Sequence, residues 1–255
     1  MMPTMLQAAW QIEATTAQLA HTQLAARVDL AAPDRGIENL GLASGAELGI
    51  RPMQIQLPDA AALSGSLGDF YVRGDDLVAE YDESPQRHYR TQIYWRSMPC
   101  PPESTVLGGI ELIVSVNTSR LDVTSTWSLQ SELSPGEFLC LASPDSTDFR
   151  PLAPVAGKAS VALPADAPGV ILFRPRNADW SYAEIVHPID FRGSRLDFSP
   201  EANAQLTHDL FHRWMEKGVI VRTRMRAVVV TRKGDAAAVA DCFADLRNAK
   251  LPLTV

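Results

Sequence analysis

Between about residues 50 and 198, hydrophobic positions recur every second residue in short runs separated by turn residues, the pattern of an antiparallel β protein. Arg51 to Leu57 sets Met53, Ile55 and Leu57 against Gln54 and Gln56, and Pro58-Asp59 ends the run. Phe70 to Arg73 and Leu77 to Tyr81 flank Gly74-Asp75-Asp76, where Gly and Asp tolerate positive φ, so the pair predicts a hairpin. Tyr89 to Arg96 places Tyr89, Thr91, Ile93 and Trp95 on one face and Arg90, Gln92, Tyr94 and Arg96 on the other. Ile110 to Val116 is almost continuously apolar, which predicts a central strand covered on both sides. Glu137 to Leu141, Ala159 to Leu163, Val170 to Arg174, Trp180 to His187 and Arg195 to Phe198 predict further strands. The prolines between them, which lack a ladder donor, sit outside the runs.

The two ends read differently. Ala8 to Ala26 is rich in helix formers, yet Trp10, Ile12 and Ala14 alternate, as do Val28 and Leu30, and strands are expected there. Pro33-Asp34-Arg35-Gly36 predicts a turn into Ile37 to Leu42. Near the C-terminus, Ser199-Pro200-Glu201 resembles a helix cap, with Leu206, Leu210, Phe211 and Trp214 following at helical spacing and Gly218 as the stop. Val219 to Arg232 predicts a long strand, Gly234-Asp235 a turn and N-cap, and Val239, Cys242, Phe243 and Leu246 the buried stripe of a last helix. The expected fold is α+β but mainly β: a large antiparallel β-sandwich with a C-terminal helix-strand-helix. It forms one domain over residues 1–255, with a helical tail at 199–255.

Composition narrows the function. Among 255 residues, 23 Lys and Arg stand against 30 Asp and Glu, a net charge of −7, which disfavours coating nucleic acid or anionic lipid. Cys100, Cys140 and Cys242 are odd in number and have no metal-ligand rhythm, so neither a disulfide scaffold nor a zinc site is expected. The N-terminal residues carry no basic leader, and no run approaches the roughly 18 apolar residues of a membrane span. A cytoplasmic protein with no membrane partner follows. There is no P-loop, GxGxxG or GxSxG motif, and no cofactor is expected.

The densest candidate chemistry is Trp180-Ser181-Tyr182-Ala183-Glu184-Ile185-Val186-His187-Pro188. On a strand, Trp180, Tyr182 and Glu184 share a face, and aromatic rings beside a carboxylate suit a sugar-like ligand. The plainer reading places them in the core or at its rim, with Glu184 paired to an arginine on a neighbouring strand. His187 falls on the other face, at a strand end fixed by Pro188. Arg90, Tyr94 and Arg96 form a second candidate, able to bind a carboxylate or phosphate or to serve as a solvated face of ion pairs. Arg222, Arg224 and Arg226 make a basic stripe without the aromatic platform that nucleic-acid binding uses. His208 and His212 stand one helical turn apart, but Asp209 replaces the Glu of HExxH and both are expected to face water; no metal site is assigned.

The stretches WSYAEIVHPIDF, VRGDDLVAEYD and LPLT resemble a conserved bacterial family, a likeness that implies no known activity. The opening strands, RVDLAAPDRGIENLGL, are faintly similar to the start of galactose-mutarotase-like β-supersandwiches. That resemblance implies a Glu base working with His acids, to which Glu184 and His187 correspond in residue type only. The favoured function is binding of a small polar, carbohydrate-like ligand through Trp180, Tyr182, Glu184, Arg90, Tyr94 and Arg96. The alternatives are a metal-independent epimerase using Glu184 with His187 or His88, and a protein-interaction module.

Overall fold

The computed structural model describes residues 9–19, 23–43, 45–56, 66–84, 88–98, 100–101, 103–154, 159–199 and 203–249. In chain order the strands are β1 (Trp10–Glu13), β2 (Thr16–Leu19), β3 (Leu24–Asp29), β4 (Ile37–Leu42), β5 (Arg51–Gln56), β6 (Leu67–Arg73), β7 (Asp76–Tyr81), β8 (Arg90–Met98) and β9 (Val106–Asn117). They continue as β10 (Val123–Leu133), β11 (Gly136–Leu141), β12 (Phe149–Pro151), β13 (Ser160–Leu163), β14 (Val170–Pro175), β15 (Trp180–Val186), β16 (Gly193–Asp197), β17 (Ala204–Met215) and β18 (Ile220–Thr231), followed by the helix α1 (Asp235–Asn248).

The strands form three antiparallel sheets, ordered β1-β2-β3-β4, β13-β16-β17-β10-β5, and β12-β11-β14-β15-β18-β9-β8-β7-β6. The mainly β sandwich expected from the alternating runs is present, and β9 sits inside the largest sheet as its unbroken apolar run requires. β18, last of the strands in sequence, lies mid-sheet between β15 and β9.

One hydrophobic cluster joins all three sheets. It includes Trp10 and Val28 from the first, Trp127 and Leu129 from the second, and Trp95, Leu112, Phe173 and Val229 from the third. Tyrosine hydroxyls close the seams: Tyr81 donates to the Leu30 carbonyl at 2.8 Å and Tyr89 to the Thr124 carbonyl at 2.6 Å. A second cluster forms where Val239, Cys242, Phe243 and Leu246 of α1 cover Ala183, Ile185, Val228 and Val230 on the outer side of the large sheet. The helical stripe read from the sequence is thus the face that docks, with Gly234 rather than Asp235 at the N-cap, at φ 82.

The helix expected over Leu206 to Trp214 is a strand, so the C-terminal region is strand, strand, helix. Positions 204, 206, 208 and 210 are all buried, a period of two, and β17 pairs with β10 along its whole length. Leu206 and Leu210 satisfy helical and strand periods alike, and pairing with a neighbour decided between them. β10 carries few apolar residues and was not anticipated at all. The proposed cap at Pro200-Glu201, and Leu57, lie outside the described residues.

Candidate functional site

Glu184 and Tyr182 face inward, into the space between the two larger sheets. Glu184 Oε1 accepts hydrogen bonds from Ser131 Oγ at 2.5 Å and Tyr182 OH at 2.7 Å, and Oε2 lies 2.9 Å from His208 Nε2. His208 Nδ1 is 2.7 Å from Ser194 Oγ, and Ser131 Oγ also accepts the Met53 N–H at 3.0 Å. Burial, reinforced by the Glu184 carboxylate, pushes the Tyr182 phenol well above its ordinary value, so it acts as a donor. His208, expected to face water, is fully buried, and Glu184 pairs with this histidine and not with an arginine. Every member is sealed from solvent, and none lines the cavities described below. The arrangement ties the sheets together by satisfied polar contacts. Trp180 is half-buried at the margin of the same core. His187 lines a cavity that does not include Glu184, so the structure does not bring the two together in one pocket. His212, the other histidine of the pair, lies 2.5 Å from Thr126 Oγ1 on the exposed side of β17.

Arg90, Tyr94 and Arg96 belong to the outer face of the large sheet, where the cross-strand register stacks side chains in rows. The first row runs Asp76, Arg96, Glu111, Arg226, and it is internally paired. Arg96 reaches Asp76 through Nε at 2.7 Å and Nη2 at 3.0 Å, while Arg226 Nε donates to Glu111 at 2.7 Å. The second row is Val78, Tyr94, Ile113 and Arg224, and the third is Glu80, Gln92, Ser115 and Arg222. Gln92 donates to Glu80 at 2.5 Å and accepts from Tyr94 OH. Arg90, largely exposed, meets Asp82 at 3.5 Å. The ion-paired reading of this face therefore describes Arg90 and Arg96. Two members of the basic stripe of β18 are also engaged, since Arg224 and Arg226 donate to the Leu246 and Cys242 carbonyls of α1.

Where this face meets the end of the sandwich, the chain crosses between sheets through residues 187–192 and 216–219. Between these connections lies a cavity of about 370 Å3, bounded by His187, Asp190, Arg192, Arg213 and Arg222. Ile189, Ile220 and Val221 supply its apolar wall. The volume falls within the roughly 300–1,000 Å3 of small-ligand sites. His187 is held in place because its N–H donates to the Arg224 carbonyl at 3.0 Å and its carbonyl accepts from Asp190 and Phe191 N–H at 2.9 and 3.1 Å. The Ile189 N–H donates to Nδ1 at 3.3 Å, which places the proton of the neutral ring on Nε2. Burial and the charge of Arg224 hold the His187 imidazole below its usual value. Asp190 Oδ2 accepts the Arg224 N–H at 3.0 Å, and burial lifts this carboxyl above its usual value against the pull of that bond. A neutral imidazole and a carboxyl of raised pKa in one cavity can exchange protons with a bound ligand.

No protein-family model matches the sequence, and no curated protein matches it significantly, so the resemblance to a conserved bacterial family has no counterpart there. Solved structures do match. A proposed aldose 1-epimerase from Escherichia coli aligns with a TM-score of 0.58 and 11% identity, covering 84% of this chain and 98% of that one. A galactose mutarotase-like protein from Lactobacillus casei gives 0.55 and 10%, covering 84% and 99%. A Synechocystis protein gives 0.59 and 8%, covering 87% and 99%. The fold is that of the galactose mutarotase-like proteins. The faint likeness of the opening strands to this class therefore pointed to the right architecture. Within the mutarotase-like sandwich, sequence reasoning found His187 but missed Asp190, Arg192 and Arg213 as its neighbours. The available signal was the run His187-Pro188-Ile189-Asp190-Phe191-Arg192, in which titratable residues crowd around a proline-fixed strand end.

Proposed function

We propose that the chain binds a small polar, carbohydrate-like ligand bearing a negative charge in the His187–Asp190 cavity. The observation that carries this reading is the convergence of Arg192, Arg213 and Arg222 on one cavity of a chain that is acidic overall. Guanidinium groups bind carboxylate and phosphate in fixed geometry. The apolar wall of Ile189, Ile220 and Val221 suits the C–H face of a sugar ring. The names of the structural neighbours, an aldose 1-epimerase and a mutarotase-like protein, support a sugar over other anions. Calorimetric titration with glucose 6-phosphate, glucose and inorganic phosphate tests it. The phosphorylated sugar should bind better than either part alone, and Arg213→Ala should weaken it at least tenfold. Equal or absent binding of all three overturns the reading.

A second reading, anomer interconversion at the same cavity, is favoured by the opposed shifts of His187 and Asp190. Here Asp190 would take the proton of the anomeric hydroxyl while His187, protonated in the complex, would give its Nε2 proton to the ring oxygen as the ring C–O bond breaks; reclosure of the ring returns both protons, and no metal is needed. Polarimetry of freshly dissolved α-glucose 6-phosphate distinguishes the two. Acceleration that is lost in Asp190→Asn supports catalysis, and a trace unchanged by the protein leaves binding alone.

A further inference from the structure

At the other end of the β10–β17 ladder, two cavities of about 420 Å3 each adjoin, with Glu132 and Asn203 lining both. The first is bounded by Arg27, Glu38, Asn39 and Arg51, and the second by Asp197, Phe198 and Gln205. At about 3.3 Å per residue along β17, Gln205 is roughly 25 Å from Arg213, so this groove is separate from the His187 cavity.

The backbone around the groove is irregular at two points. The pairing of β3 with β4 shifts between Ala25 and Arg27, and Asn39 opposite adopts φ 51. The pairing of β10 with β5 shifts between Gln130 and Glu132, and Met53 opposite adopts φ 59. Such bulges turn a strand's side chains out of alternation, and here both flank residues of one groove. The side chains they present are of mixed polarity, and Arg27 and Glu38 meet at 3.9 Å. Among the described residues, no three His, Cys, Asp or Glu side chains gather closely enough to hold a metal ion.

We infer that this groove binds a neutral, linear polyhydroxylated chain of at least two rings, such as an oligosaccharide. Carboxylate and amide oxygens of Glu132, Asn39 and Asn203 accept hydroxyl protons, and amide N–H and the Arg51 guanidinium donate to hydroxyl oxygens. Glu38, Glu47, Glu132 and Asp197 outnumber Arg27 and Arg51, which turns anions away and separates this chemistry from the arginine-lined cavity. Phe198 offers a ring face against which a sugar's C–H face packs. Two adjoining chambers that share Glu132 and Asn203 offer room for more than one ring.

The test is a titration of the isotope-labelled intact chain with glucose, maltotetraose and cellotetraose, following the side-chain amide resonances of Asn39, Asn203 and Gln205. At millimolar sugar, at least one tetrasaccharide should shift these resonances, and glucose should shift them less. Glu132→Ala should weaken the effect at least tenfold, while Arg213→Ala should leave it unchanged. Asn203→Ala serves as a second variant should Glu132→Ala fail to fold. No shift with either tetrasaccharide, or shifts confined to the His187 cavity, overturns the inference. Because Arg213→Ala acts on the other cavity alone, failure of one site does not read as failure of the other.

Discussion

Glu184 of β15 and His208 of β17 meet at 2.9 Å across the interior of the sandwich, and neither side chain reaches solvent. The sheets approach through many apolar contacts that tolerate sliding, whereas a hydrogen bond between fixed atoms does not. The pair therefore sets how one sheet lies on the other. Glu184→Ala leaves the His208 and Tyr182 donors buried without an acceptor and should cost about 3 kcal/mol in urea unfolding. His208→Ala should cost a similar amount, and the double variant should cost less than the two together, the mark of residues acting as a unit. Strict additivity would show that the contact couples nothing.

The His187 cavity carries a pH signature. An imidazole held below its usual value takes up a proton more readily in the unfolded chain, so this residue contributes stability above about pH 6.5 and withdraws it as pH falls below that. Bound anions have the opposite preference, favouring the imidazolium. Affinity for glucose 6-phosphate should therefore rise as pH falls through the folded-state value, and His187→Asn should flatten the profile. A wild-type profile that is already flat would separate His187 from the ligand.

At the other face, Asp235 at the start of α1 receives Arg174 through Nε and Nη2, both at 2.8 Å, and Ser181 Oγ at 2.6 Å. Burial alone would raise this carboxyl, but the bonds from Arg174 and Ser181 prevail and hold it below its usual value. A depressed carboxyl contributes stability above its unfolded value near 3.9 and loses it as pH falls through the folded one. Asp235→Asn should destabilise the chain by about 3 kcal/mol at pH 7, with the gap to wild type narrowing in acid. Melting temperatures at pH 7 and pH 3.5 measure the difference.

Gly36 follows the short 3-10 turn Pro33–Arg35 at φ 71, and a Cβ there would collide with the Pro52 carbonyl oxygen. Both the left-handed backbone and the close approach of β5 require glycine. Gly36→Ala should cost about 2 kcal/mol or more by chemical denaturation. A neutral substitution would mean that the turn shifts freely away from β5.

What the sequence made legible follows from period and punctuation. The alternation of Tyr89 to Arg96 separated the two faces of β8, because Ile93 and Trp95 mark the inward side and Arg90, Gln92 and Arg96 the outward one. β17 defeated the same reasoning, since His208, polar by type, occupies a core position where only its partner Glu184 makes burial tolerable. Glu184 stood out in the sequence as a candidate ligand or catalytic residue, but its observed partners, Ser131 and His208, are far away in the chain. The cavity was opaque for a related reason: Arg213 and Asp190 meet only because two connections cross the same end of the sandwich.

The position of β18 bears on how the molecule assembles. β12, β11, β14 and β15 form one half of the large sheet and β9, β8, β7 and β6 the other, and among the described residues only 220–231 join them. During synthesis these halves remain unjoined, with two open edges, until residues 220–231 have emerged. Pairings of such long sequence separation close slowly and leave strand edges exposed to wrong partners meanwhile. A nascent chain that stalls before β18 is thus a candidate for chaperone capture, and the zipping of this one strand converts two incomplete sheets into a single structure.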